Sequence, residues 1–169
     1  MTDIKSVRII QDHLASQTTI INGIEIPAAF SGEGSSLYGG RWNSIGTPIV
    51  YTAGSQPLAI LEIAVHIDSP RQLEHYSLFE VSFDDSLVLE LSFDSLPEDW
   101  QSNPAPESAK AIGDQWVKQA DSLILQVPST IVSDTPNYII NPYHPDLKQL
   151  NIIGPIPYPI DPRIKQVNS

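Results

Sequence analysis

The sequence predicts an α+β fold, with small mixed or antiparallel sheets and flanking helices. Three observations predict the α+β class. Short apolar runs bounded by glycine or proline, such as Pro48–Thr52 and Leu123–Val127, read as strands. Two segments, Leu58–Ile67 and Glu107–Gln119, read as helices. Apolar residues make up 41% of the 169, which suits one domain with one core and excludes a disordered chain. No repeat or linker divides the chain, so 1–169 is expected to be one domain.

In chain order, Met1–Ile10 lacks the basic-then-apolar layout of a signal peptide. No apolar run approaches the roughly 20 residues that span a bilayer. The expectation is a cytoplasmic protein with no membrane contact. Six of the nine glycines fall between Gly32 and Gly54, so Ser31–Gly46 reads as a loop with special backbone angles or a close approach. The strand Pro48–Thr52 follows. Ser55 then fits an N-cap, with Pro57 in the first turn, where its missing N–H costs little. Leu58–Ile67 is apolar nearly all round and is expected to be buried on most sides. Strands are expected at Ser77–Phe83 and Ser86–Leu91, joined by an Asp84-Asp85 turn, and again at Leu123–Val127 and Asn137–Ile140. Glu107–Gln119 is a helix carrying Trp116. The proline-rich tail Gly154–Pro162 must be extended, since each proline disfavours helix before it.

The net charge of −11 argues against direct nucleic-acid binding, which needs cations to displace phosphate counterions. Eleven of the twenty acids lie between Glu74 and Asp121 and read as a solvated surface. With no cysteine and four scattered histidines, neither thiolate chemistry nor a metal site is expected.

Glu62 is the only charge in its helix, whose one other polar residue is His66. It either faces a cleft or lies on a narrow exposed stripe paired with His66, one turn on. Arg41 is the only cation between Arg8 and Arg71. Between Gly39-Gly40 and Trp42-Asn43 it suits a pyrophosphate or carboxylate; otherwise it braces the loop or stacks on Trp42. Tyr51, at the end of the strand after that loop, is a packing residue or a ligand contact. Ser129 is a turn serine or a site residue, without the GxSxG elbow of a hydrolase. His144 reads as a loop histidine.

Together, Gly39-Gly-Arg-Trp-Asn43, Ile49-Val-Tyr-Thr-Ala53, Leu58-Ala-Ile-Leu-Glu62 with His66, Val127-Pro-Ser129 and Asn141-Pro-x-His144 resemble the RES domain. The resemblance runs in order over about 30–144, with an N-terminal extension and the proline-rich tail expected to pack on that core. Ser35 stands where the family often has alanine, and Ile10–Ala29 is longer than is common.

The resemblance implies a fold related to that of ADP-ribosyltransferases and NAD as substrate, with Arg41, Tyr51, Glu62 and Ser129 as catalytic or NAD-binding residues. It implies no cofactor, inorganic phosphate being a co-substrate in the phosphorolytic case. It further implies a toxin held by an Xre-like antitoxin, with self-association or a higher complex with that partner. Phosphorolysis, hydrolysis and protein ADP-ribosylation all remain open. The physics agrees with one carboxylate. Nicotinamide leaves neutral from a pyridinium, so no second acid is needed of the kind that protonates a glycoside's leaving oxygen. A non-catalytic nucleotide- or partner-binding module is the alternative from another class. Loss of Arg41, Tyr51 or Glu62 would mark it, and all three are present.

Overall fold

The computed structural model describes residues 2–165. Asp3–Gln11 (β1) leads through the short helix Asp12–Ala15 (α1) to a hairpin of Thr18–Ile21 (β2) and Ile24–Pro27 (β3). Glu33–Tyr38 (α2), Val50–Ala53 (β4), Gln56–Ala64 (α3), Tyr76–Asp84 (β5) and Val88–Glu90 (β6) follow. Glu107–Gln119 (α4), Ile124–Val127 (β7), Asn137–Ile140 (β8) and Asn151–Pro157 (β9) complete the order. Seven strands form one sheet in the order β6-β7-β8-β4-β1-β5-β9, and β2-β3 form a second. Only the β6–β7 pairing is parallel in the large sheet. The α+β class with a mixed sheet is therefore observed, although the main sheet is larger than the small sheets expected.

Strand alternation decides which side chains meet which helix. On β4, Val50 and Thr52 turn to one face. Val50 joins Phe30, Phe79, Val81 and Ile140 in a core where Phe30 and Phe79 meet edge to face at 5.4 Å. Tyr51 and Ala53 turn to the other face, which the two long helices cover. There α4 packs Ala109 and Trp116 with Trp42, Leu125, Val127 and Ile139. On the same face α3 packs Leu58 and Ala59 on Val7, Ala53 and Leu78. Tyr51 thus stands between the two helices.

The N-terminal extension and the tail are not appendages. β1 lies inside the sheet between β4 and β5, and β9 lies along β5 as an edge strand. The hairpin within Ile10–Ala29 turns at Asn22-Gly23, both with positive φ, the geometry this dipeptide favours. The glycine-rich segment holds the short helix α2 rather than loop throughout. Gly32 starts it at φ 72°, and a Cβ there would come within 2.9 Å of the Ile49 N. The Ser35 hydroxyl fastens α2, lying 2.9 Å from Gly32 O and 2.5 Å from Ile49 O while accepting from Ile49 N–H at 2.9 Å. That is the physical use of serine at this position.

Asp84 accepts from Ser86 N–H at 2.9 Å as the turn predicts, and the two strands it joins do not pair; β6 pairs with β7 at the far edge. One further expectation changes. Helix α3 stops at Ala64, and Leu61 and Val65 are 38% and 55% exposed, so its apolar character does not bury it on most sides.

Candidate functional site

The Ser55 hydroxyl accepts from Leu58 N–H at 3.3 Å and Pro57 lies in the first turn, so α3 begins as its sequence predicts. This start directs Leu58 and Ala59 into the core and leaves Glu62 half-buried. Asn137, the first residue of β8, donates from Nδ2 to Glu62 Oε1 at 2.9 Å. The buried Ser129 hydroxyl donates to the same oxygen at a long 3.4 Å, and itself accepts from Ile131 N–H and Val132 N–H at 3.0 and 3.2 Å. Both donors converge on Oε1. The expected pairing with His66 is not formed: the helix has ended, and His66 is exposed.

Arg41 approaches from the glycine-rich side. Its Nη1 donates to the carbonyls of Trp100 and Ser102 at 2.7 and 2.9 Å, so it does brace a loop. Trp42 stacks on Trp100 at 6.1 Å rather than on Arg41. Partial burial lowers the Arg41 pKa, while the nearby Glu62 carboxylate opposes that shift. Arg41 therefore lies within electrostatic reach of Glu62.

Tyr51 joins the two halves. Its hydroxyl donates to Asn43 Oδ1 at 2.6 Å and accepts from Trp42 N–H at 3.1 Å. Burial, the largest effect, raises its pKa well above 10, against the lowering effect of the Trp42 N–H. Gly40 makes this possible, because a Cβ there would come within 2.6 Å of the Tyr51 hydroxyl. Asn43 is fully buried and donates to Ser35 O and Thr47 O at 2.7 and 2.9 Å. Asp114 of α4 accepts from Ser44 N–H at 2.9 Å, tying the loop to the helix.

The structure thus brings Glu62 and Ser129 into contact, sets Arg41 near Glu62, and seats Tyr51 beneath Arg41's neighbour Trp42. Three participants escape a reading of the sequence. Asn43 stands within the Gly39–Asn43 motif, which by itself gives it no role, and Asn137 is a polar residue with no charge or motif to mark it. Arg8 on β1 donates from Nη1 to Tyr51 O at 2.9 Å, its Nε is buried without a partner among the described residues, and burial pushes its pKa down to about 10. Its place as a charge between Val7 and Ile9-Ile10 is the available signal. A cleft of about 180 Å³ is lined by Glu90, Phe93, Gln126, Pro128, Asp134 and Pro136 among others; Arg41, Tyr51, Glu62 and Ser129 do not line it. His144 is structural: its Nδ1 accepts from Asp146 N–H at 3.1 Å, and its Nε2 lies 3.1 Å from Ala120 O at the end of α4.

The RES domain family model matches residues 18–161. A protein named Toxin Res from Yersinia enterocolitica is 37% identical over 141 residues, covering 83% of this chain and 93% of the relative. The Prs ADP-ribosylating toxin of a Sphingobium species is 36% identical over 137 residues, covering 79% and 85%. Among solved structures, the Mycobacterium tuberculosis MbcT–MbcA toxin–antitoxin complex contains a chain of similar fold. Its TM-score is 0.71 at 19% identity, over 97% of this chain and 87% of that one.

Proposed function

The chain belongs to the RES-domain family, and on that premise we propose that it is the toxin of a toxin–antitoxin pair, cleaving the N-glycosidic bond of NAD by hydrolysis or phosphorolysis. The observation that carries this reading is the Glu62 carboxylate. Among the described residues it is held through Oε1 alone, and it lies within electrostatic reach of Arg41.

In the proposed reaction Arg41 holds the pyrophosphate, using guanidinium nitrogens other than the Nη1 engaged by Trp100 and Ser102. The Tyr51 ring supports a ring of the substrate. The C1″–N bond breaks with its electron pair passing to the pyridinium nitrogen, so nicotinamide departs neutral. Glu62 Oε2 faces the positive charge that develops on the ribose and stabilises it electrostatically. An oxygen of water or inorganic phosphate then bonds to C1″. With water as acceptor, the surplus proton passes to solvent. Ser129 acts on Glu62, since its hydroxyl is already bonded there.

Transfer of ADP-ribose to a protein is the second reading, and the name of the Sphingobium relative favours it. The chemistry at Glu62 is the same and only the acceptor differs. An antitoxin partner, Xre-like as the family resemblance implies, agrees with the toxin–antitoxin complex that contains the similar fold. No helix among the described residues is long and apolar enough to cross a membrane, in keeping with a proposed cytoplasmic site of action. The test incubates purified protein with NAD, with and without phosphate, and separates the products. ADP-ribose identifies hydrolysis, ADP-ribose-1″-phosphate identifies phosphorolysis, and labelled protein identifies transfer. NAD left intact by folded protein under all these conditions, cell extract included, overturns the reading.

A further inference from the structure

Resting on that reading of Glu62, we infer that Asn137 is the positioning residue of the reaction: it holds Oε1 of Glu62 and so aims Oε2 at the substrate. Of the two donors on Oε1, Asn137 at 2.9 Å is the closer, while Ser129 at 3.4 Å is also engaged by two backbone N–H groups. Asn137 is also the better-anchored of the two. It is the first residue of β8, paired with Ala53 on one side and Val127 on the other, whereas Ser129 lies in the segment beyond β7.

The second amide atom supports the assignment. Asn137 Oδ1 is buried and has no hydrogen-bond partner among the described residues. A buried acceptor without a donor destabilises a fold. Asparagine is also a poor strand former. Flipping the amide would not relieve the orphan, because it would set carbonyl oxygen against carboxylate oxygen. The stability of β8 therefore gives no reason for asparagine here, and the bond to Glu62 does. The same bond fixes the amide's orientation, with Nδ2 toward the carboxylate.

The test compares Asn137→Leu, which keeps the side chain's size and removes both polar atoms, with Asn137→Asp, which sets a second carboxylate against Oε1. The expected result for Asn137→Leu is a kcat for NAD cleavage lowered about ten- to hundredfold, the range for losing one hydrogen bond to a charged group. KM should stay within about twofold and the melting temperature should not fall, because the orphan acceptor has gone too. Asn137→Asp should lower kcat further, and it decides the matter if the leucine variant does not fold. Wild-type kcat in a folded variant overturns the inference. So does a loss expressed in KM, or one that tracks a lowered melting temperature. If wild-type protein leaves NAD intact, the reading of the reaction fails by itself. The positioning is then read from the carboxyl carbon-13 signal of Glu62, which must shift in Asn137→Leu; an unmoved signal overturns it.

Discussion

The Tyr51 hydroxyl donates its one proton to Asn43 Oδ1, 2.6 Å away, and so has none left for a ligand. It also accepts the Trp42 N–H, which holds the backbone next to Arg41 in place. Tyr51→Phe leaves both of these buried partners unsatisfied. The expected cost is roughly 1–3 kcal/mol of stability. NAD turnover should fall because the Arg41 segment loosens while the ring remains. Denaturant unfolding beside turnover checks this, and unchanged stability removes the hydroxyl from its structural role.

The same tyrosine makes a prediction at alkaline pH. Its folded pKa is raised by burial, so between about 10 and that higher value the folded protein keeps a proton the unfolded chain has lost. Its neutral form therefore contributes stability fully present below pH 10, and that contribution declines as pH rises above it. Tyrosinate absorbance should show a late-titrating group that disappears in Tyr51→Phe. A titration in which both proteins match contradicts the assignment.

Glu62→Gln is expected to lower kcat by roughly 10²–10³, by analogy with the loss of one preorganised charge-stabilising group. The fold should survive, because glutamine's carbonyl oxygen still accepts from Asn137 and Ser129. Circular dichroism and single-turnover measurements decide. Undiminished turnover in folded protein removes Glu62 from the chemistry.

Arg41 performs a bracing role and, in the proposed reaction, a ligand role, and two substitutions separate them. Arg41→Ala loses both, so KM for NAD should rise about tenfold or more and stability should drop. Arg41→Lys keeps a donor for the Trp100 and Ser102 carbonyls but not the planar fork. Stability should largely recover while KM does not. If lysine restores KM as well, the fork is not what holds the substrate.

Gly113 lies on α4 directly over Trp42, where a Cβ would overlap the Trp42 carbonyl oxygen. Gly113→Ala should cost about 1–3 kcal/mol or more through this clash. It should also impair turnover by displacing the Arg41 segment. Thermal unfolding together with KM for NAD reports both effects. A tolerated alanine would mean that the helix and loop are not in contact.

What could be read in advance followed the strength of the local signal. Ser55 and Pro57 announce α3, and Glu107–Gln119 is the helix its pattern predicts, because capping and amphipathic spacing act within a few residues. Helix α2 escaped because Glu-Gly-Ser-Ser-Leu-Tyr has weak helical propensity. It is held by tertiary bonds from Ser35 to Ile49. Asn22-Gly23 is a plain hairpin signal within the N-terminal extension, and β2 and β3 pair across it. Within the site, Arg41, Tyr51, Glu62 and Ser129 stand out through charge or motif. Asn137 does not, because its partner is 75 positions away and an asparagine at the start of a strand has an ordinary local explanation.

That separation also sets a clock on the ribosome. At about 5–20 residues per second, roughly 4–15 s pass between the synthesis of Glu62 and that of Asn137, 75 residues later. Meanwhile β1, made first, waits for β4 and then β5 to flank it. A half-made chain therefore has the Glu62 carboxylate without either of its donors, and under the proposed function activity waits until the strand carrying Asn137 has joined the sheet.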